Sequence, residues 1–247
     1  MKKTLLIGTA IMALTATAAF ASGGGLGLHV GDCNGASALV NNCALNTGSL
    51  VLVGSVTPDA DSPRMVAEEV VIDISNGGSA LSDWWRLDGA GTGGCRNAMT
   101  STEDFTAVDA NGNPVYSACV DYWAGSGSGA QAFVYPSPGT GLPGGSGRIA
   151  LVAASAFEKL LPGGVQSYMF RIQINKTLSL GTGACGGCAD PVHLYFNNCK
   201  LLQTAGAAGG DVDVSGTGAG QDCTYNGGNA PTSTQKTSWG SIKALYR

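Results

Sequence analysis

The sequence predicts an all-β protein: a disulfide-stapled β-sandwich of jelly-roll or Greek-key order with a short C-terminal helix. Three observations carry that prediction. Apolar residues recur with a period of two over short runs, the runs are separated by Gly-, Pro-, Asn- and Ser-rich connections, and eight cysteines follow an export-type leader.

The period of two is clearest at Tyr168, Phe170, Ile172 and Ile174, which alternate with Met169, Arg171, Gln173 and Asn175. Val70, Ile72 and Ile74 repeat the pattern at the end of a run that begins at Val66. Further strands are expected at Leu26–Val30, Leu50–Val56, Leu81–Leu87, Val115–Val120, Ala130–Tyr135, Arg148–Ala154 and His193–Gln203. Many short strands with turn signals between them fit two packed sheets. Near the end of the chain, Ser238 can cap a helix over 238–246 that gathers Trp239, Ile242 and Leu245 or Tyr246 on one face. So short a helix needs a surface to dock on, and the body of the same chain is the expected one.

Lys2 and Lys3 form a basic n-region, Leu5 to Phe20 is a short apolar stretch, and Ala19-Phe20-Ala21 is a small-x-small cleavage site. Residues 1–21 therefore read as a signal peptide and 22–247 as one β-sandwich domain. Loss of the two lysines takes the formal charge from −4 to about −6. That sign excludes nucleic acid and anionic lipid as natural partners, since both require basic patches. No later segment reads as membrane-inserting. The product is expected to be secreted, whether periplasmic, cell-surface or extracellular, with a glycan or an envelope protein as the class of partner and with no cofactor.

All eight cysteines, at 33, 43, 95, 119, 185, 188, 199 and 223, lie after the leader, an even number suited to an oxidising compartment. Loop closure is cheapest between neighbours. It favours Cys33–Cys43, Cys95–Cys119, Cys185–Cys188 and Cys199–Cys223. Cys185, Cys188, His193 and Cys199 have an alternative reading as a zinc shell, because two thiolates on a tight turn with an imidazole and a third thiolate supply four tetrahedral ligands. A redox role for Cys185 and Cys188 is disfavoured, since Gly186 and Gly187 oppose the helix start that lowers a thiolate pKa. Asp109, Asn111 and Asn113 place oxygens at alternate positions, as a calcium loop begins, but an Asn-Gly turn explains the same residues.

Three G-x-G-x-x-G matches, beginning at Gly89, Gly139 and Gly181, open no helical pattern and read as loops. No hydrolase motif is present, and the only histidines are His29 and His193. Glu68, Glu69, Glu103 and Glu158 offer combinations for a carboxylate pair of the glycosidase kind. Glu68 and Glu69, as strand neighbours, point to opposite faces. Trp84, Trp85 and Trp123 are flanked by Asp or Arg, and an outward-facing Trp in that setting can stack on a sugar ring. The expected function is a non-catalytic binding or structural one. A carbohydrate-binding module using those tryptophans is the alternative, and an envelope hydrolase comes third.

The elements Leu81-Ser-Asp-Trp84-Trp85, Gly94-Cys95-Arg96, Ala118-Cys119-Val120-Asp121 and the terminal Trp239-Gly240-Ser-Ile242-Lys243-Ala-Leu245-Tyr246-Arg247 resemble those shared by a group of secreted bacterial proteins. The resemblance covers most of the chain after the leader. It implies export and carries no activity with it. The architecture is also similar, in strand count, to the cohesin and carbohydrate-binding sandwiches.

Overall fold

The computed structural model describes residues 25–89, 95, 99–135, 142–215 and 220–228. The signal peptide expected at 1–21 and the helix expected at 238–246 lie outside them. Among the described residues twelve strands form two sheets. The first sheet contains β1 (Gly25–Val30), β3 (Ser49–Thr57), β5 (Thr100–Thr102), β6 (Val120–Asp121) and β9 (Ser167–Asn175). Its order is β1-β3-β9-β5, with β6 parallel to β9. The second contains β2 (Ala38–Leu39), β4 (Ser62–Ser75), β7 (Gly127–Val134), β8 (Ser146–Leu161), β10 (Val192–Gln203), β11 (Val212–Ser215) and β12 (Asp222–Tyr225). It runs β2-β12-β10-β4-β8-β7, with β11 beside β10.

One core lies between the sheets, built from the predicted alternations. Phe170, Ile172 and Ile174 of β9 face Ile72 and Ile74 of β4 and Phe196 of β10 in one buried cluster. The Phe170 and Phe196 rings meet edge to face at 5.2 Å across the two sheets. Phe170 needs a gap in the neighbouring strand. A methyl group on Gly54 of β3 would lie 2.0 Å from its ring, so only glycine fits there. The crossovers between sheets fasten to each other: in the β8–β9 turn the Gly164 N–H donates to Pro58 O and the Gly163 N–H to Asp61 Oδ1, both in the β3–β4 turn.

Two strand expectations are corrected. Leu81–Leu87 contains a single 3-10 turn at Asp83–Trp85, closed by Trp85 N–H to Ser82 O, and Val115–Val120 forms a ladder only at its last residue. In the first case a turn buries two adjacent large side chains, which a strand cannot do on one face.

The cysteine pairing is also corrected. Cys33 is joined to Cys119, Cys43 to Cys188 and Cys95 to Cys185, while Cys199 and Cys223 are free and buried. None of the pairs between sequence neighbours forms. Loop-closure cost grows only slowly with length, so the positions imposed by the sheets decide. Tyr168 shows this locally: its hydroxyl donates to Asp32 Oδ1 and accepts from the Ala118 N–H, which brings the adjacent Cys33 and Cys119 together. Cys223 lies opposite Leu194 on β10, five residues from Cys199. At strand rise that is about 16 Å along the ladder, beyond the reach of a disulfide.

Candidate functional site

The sequence-predicted sites are absorbed by the fold. Trp84, Trp85 and Trp123 are fully buried. Trp84 and Trp85 meet edge to face at 4.7 Å, and Trp85 leans on Tyr225 at 5.2 Å. The Trp84 indole N–H donates to Ser179 Oγ, and that of Trp123 to Met169 O. None of the three offers a face to a sugar ring, so the stacking role is withdrawn. Zinc at Cys185, Cys188, His193 and Cys199 is likewise excluded, because Cys185 and Cys188 are held in disulfides to different partners. At the calcium-like loop, Asp109 Oδ1 accepts from the Asn111 and Asn113 N–H groups and Oδ2 from the Asn113 amide, the pattern of the turn reading. Among the described residues no group of three or more His, Cys, Asp or Glu is placed to hold a metal ion.

Of the four candidate carboxylates, Glu69 is exposed and Glu158 forms an exposed ion pair with Arg64. Glu68 and Glu103 are brought together inside the molecule. Leu201, Glu68, Ala153 and Gly129 form one row across β10, β4, β8 and β7, all pointing inward. The small residues leave room above them. Glu103, just beyond β5, enters that room: a methyl group on Gly129 would lie 2.5 Å from its Oε1, and one on Gly127 would lie 2.7 Å from its Cβ. Glu68 is thus separated from the Gly129 position by one strand, about 10 Å between backbones.

Burial, then the charge of Glu103, push the Glu68 carboxyl well above its usual range, against a thiol hydrogen bond from Cys199 at 3.8 Å. Burial also raises Glu103. Each keeps one Oε1 atom without a hydrogen-bond partner among the described residues. Tyr122 closes the cluster, its hydroxyl donating to Met65 O, and its acidity is suppressed by burial and by Glu68. The Cys199 thiol is pushed well up by burial and by Glu68, which leaves it a poor nucleophile. Burial pushes Cys223 up to about 12. Burial lowers both histidines, with Asp222, at 3.4 Å from His193 Nε2, only partly opposing it. Burial thus favours the uncharged form of each of these groups.

The accessible chemistry lies on the outer face of the second sheet. Ser128, Ala130, Ala132 and Val134 of β7 point outward beside Ala154, Val152, Ala150 and Arg148 of β8. Val152 is half exposed, and Ala130, Ala132 and Val134 are exposed. Arg148 is neutralised by Asp73 through two hydrogen bonds, at 2.7 and 3.0 Å, and Asn197 donates to the same carboxylate. A second outward row runs Asp213, Lys200, Glu69, Val152 and Ala130 across β11, β10, β4, β8 and β7, so the exposed Glu69 stands directly beside Val152. The inner side of β7 is fastened to the first sheet: Ser101 Oγ donates to Gln131 Oε1 at 2.9 Å, and the Gln131 amide donates to Met99 O. The strand itself was legible as an apolar run, and its alternation of small outward residues was the available sign of a contact face. No protein-family model, curated protein or solved structure matches the chain.

Proposed function

We propose that the chain is a secreted, non-catalytic binding or structural protein of the cell envelope or extracellular space. Its two sheets are read as a β-sandwich, and its contact surface as the outer β7–β8 face. The observation that carries this reading is a division of side chains. Trp84, Trp85, Trp123, Glu68, Glu103 and His193 are buried and six of the eight cysteines are disulfide-bonded, whereas a face of small Ala and Val side chains, bordered by Glu69 and the Arg148–Asp73 pair, is open. Apolar patches of that kind mark interaction sites. Three disulfides fit an oxidising compartment, and among the described residues no helix is long and apolar enough to cross a membrane.

The test is photo-crosslinking in cells that export the chain, with the probe at Val152 or, as a control, at Asn111 in the turn. The proposal expects discrete adducts from Val152 only, and no turnover by the purified protein on a glycan panel. Adducts from neither position, or hydrolysis of any glycan that is lost in Glu68→Gln, would overturn it.

A further inference from the structure

Among the described residues β7 is the long edge strand without a ladder partner on its outer side. The other edges are blunted: β2 and β6 are two residues long, β5 three and β11 four. The edge of β1 is already engaged, with the Leu28 N–H donating to Gly220 O and the Val30 N–H to Ala36 O. β7, by contrast, has β8 as its only ladder neighbour among the described residues.

Sheet edges that must not pair usually carry lysine, proline, a bulge or an inward charge. The eight residues Gly127-Ser-Gly-Ala-Gln-Ala-Phe-Val134 contain no charge and no proline, and the register with β8 runs unbroken from Gly127↔Ser155 to Val134↔Arg148. The edge is therefore straight as well as unguarded. Its outward side chains are small enough for a further strand to lie alongside without a steric barrier.

The distribution of charge selects the occupant. The chain is acidic overall, so two copies repel unless they meet where charge is absent or paired. The β7 edge meets that condition, because β7 itself carries no charge, Arg148 beside Val134 is paired with Asp73, and Glu69 stands two strands away, beyond Val152. A strongly basic or acidic partner finds nothing on this strand to complement. An identical uncharged strand does, and antiparallel pairing about a two-fold axis closes the contact without leaving a new edge.

We propose that two copies of this chain associate through β7, antiparallel to its own mate, joining the two seven-stranded sheets into one. This places a second copy at the edge that borders the face described under the proposed function, and rests on that reading.

Sedimentation of the oxidised, exported chain over a dilution series is the test. The expected result is a reversible monomer–dimer equilibrium. In Ala130→Lys/Ala132→Lys, with outward lysines brought opposite one another, it should shift to monomer at an unchanged melting temperature. Val108→Lys, at an exposed loop position, should leave the dimer intact. A second readout needs no variant: amide exchange along β7 should slow in the dimer and accelerate on dilution. A wild-type monomer at every concentration, or a dimer indifferent to the two lysines, overturns the proposal. If that monomer still gives Val152 adducts with another protein, the contact face stands and only its occupant is wrong. If it gives none, both readings fall.

Discussion

Glu68 belongs to the same inward phase of β4 as Val70, Ile72 and Ile74. A carboxyl on that face was visible in the sequence as a break in an apolar period, and its opposition to Glu69 followed from strand geometry. Glu103 was one of the carboxylates that could pair with it but was not singled out, since the two approach through the gap that Ala153 and Gly129 leave on other strands. The consequence is a proton linkage. The folded state holds a proton that the unfolded chain releases above about pH 4.5, so this group's contribution to stability declines as pH rises from that value through its raised folded value. Urea titrations should show the wild type losing stability as the pH is raised above about 4.5. Glu68→Gln, which carries no titrating proton, should have a flatter profile and be the more stable of the two at the alkaline end. Parallel profiles would mean that Glu68 is ionised in the fold. The tryptophans teach the converse lesson. Treating Trp84 and Trp85 as strand residues sends one of them outward, whereas a 3-10 turn buries both.

Among elements, β4, β9 and β10 were legible because an apolar period of two survives along most of each. β5, with Thr100-Ser-Thr102, and β11, with Val212-Asp-Val-Ser215, carry too little apolar pattern to be read. β8 extends to Leu161, past the expected end at Ala154. Its ladder with β4 slips between Ala154 and Lys159, which breaks the alternation that would have marked the extension. Close approach between strands was likewise hidden, since a glycine in a strand does not say what sits above it. Gly54 is the sharpest case, with the Phe170 ring where a side chain would stand. Gly54→Ala should destabilise the fold by about 1–3 kcal/mol through forced displacement of that ring. Chemical denaturation measures this directly, and a loss below about 0.5 kcal/mol would mean that the two strands part without cost.

At the scale of the whole molecule, the class and the two-sheet arrangement followed from the pattern of short strands, but the covalent topology did not. Pairing neighbours by loop entropy neglects how weakly that entropy depends on length. The observed bridges instead join positions 86, 145 and 90 residues apart, and two of them meet in the segment carrying Cys185 and Cys188 that leads from β9 into β10. Removing the longest, by Cys43→Ala/Cys188→Ala, should cost on the order of 4–5 kcal/mol in the chain-entropy account. Calorimetry that finds the melting temperature unchanged would argue that the bridge does not form. Thiol counting tests the topology as a whole. Unreduced protein should give two reactive thiols per chain in denaturant, from Cys199 and Cys223, and almost none when native, because both lie within the core. Pairing them would require β12 to slide by about five residues along β10. That slide would carry Cys223 away from Leu194 and Tyr225 away from Val192, removing Tyr225 from the face of Trp85. A denatured count of zero would therefore contradict the register of the second sheet as well as the assignment of the two cysteines.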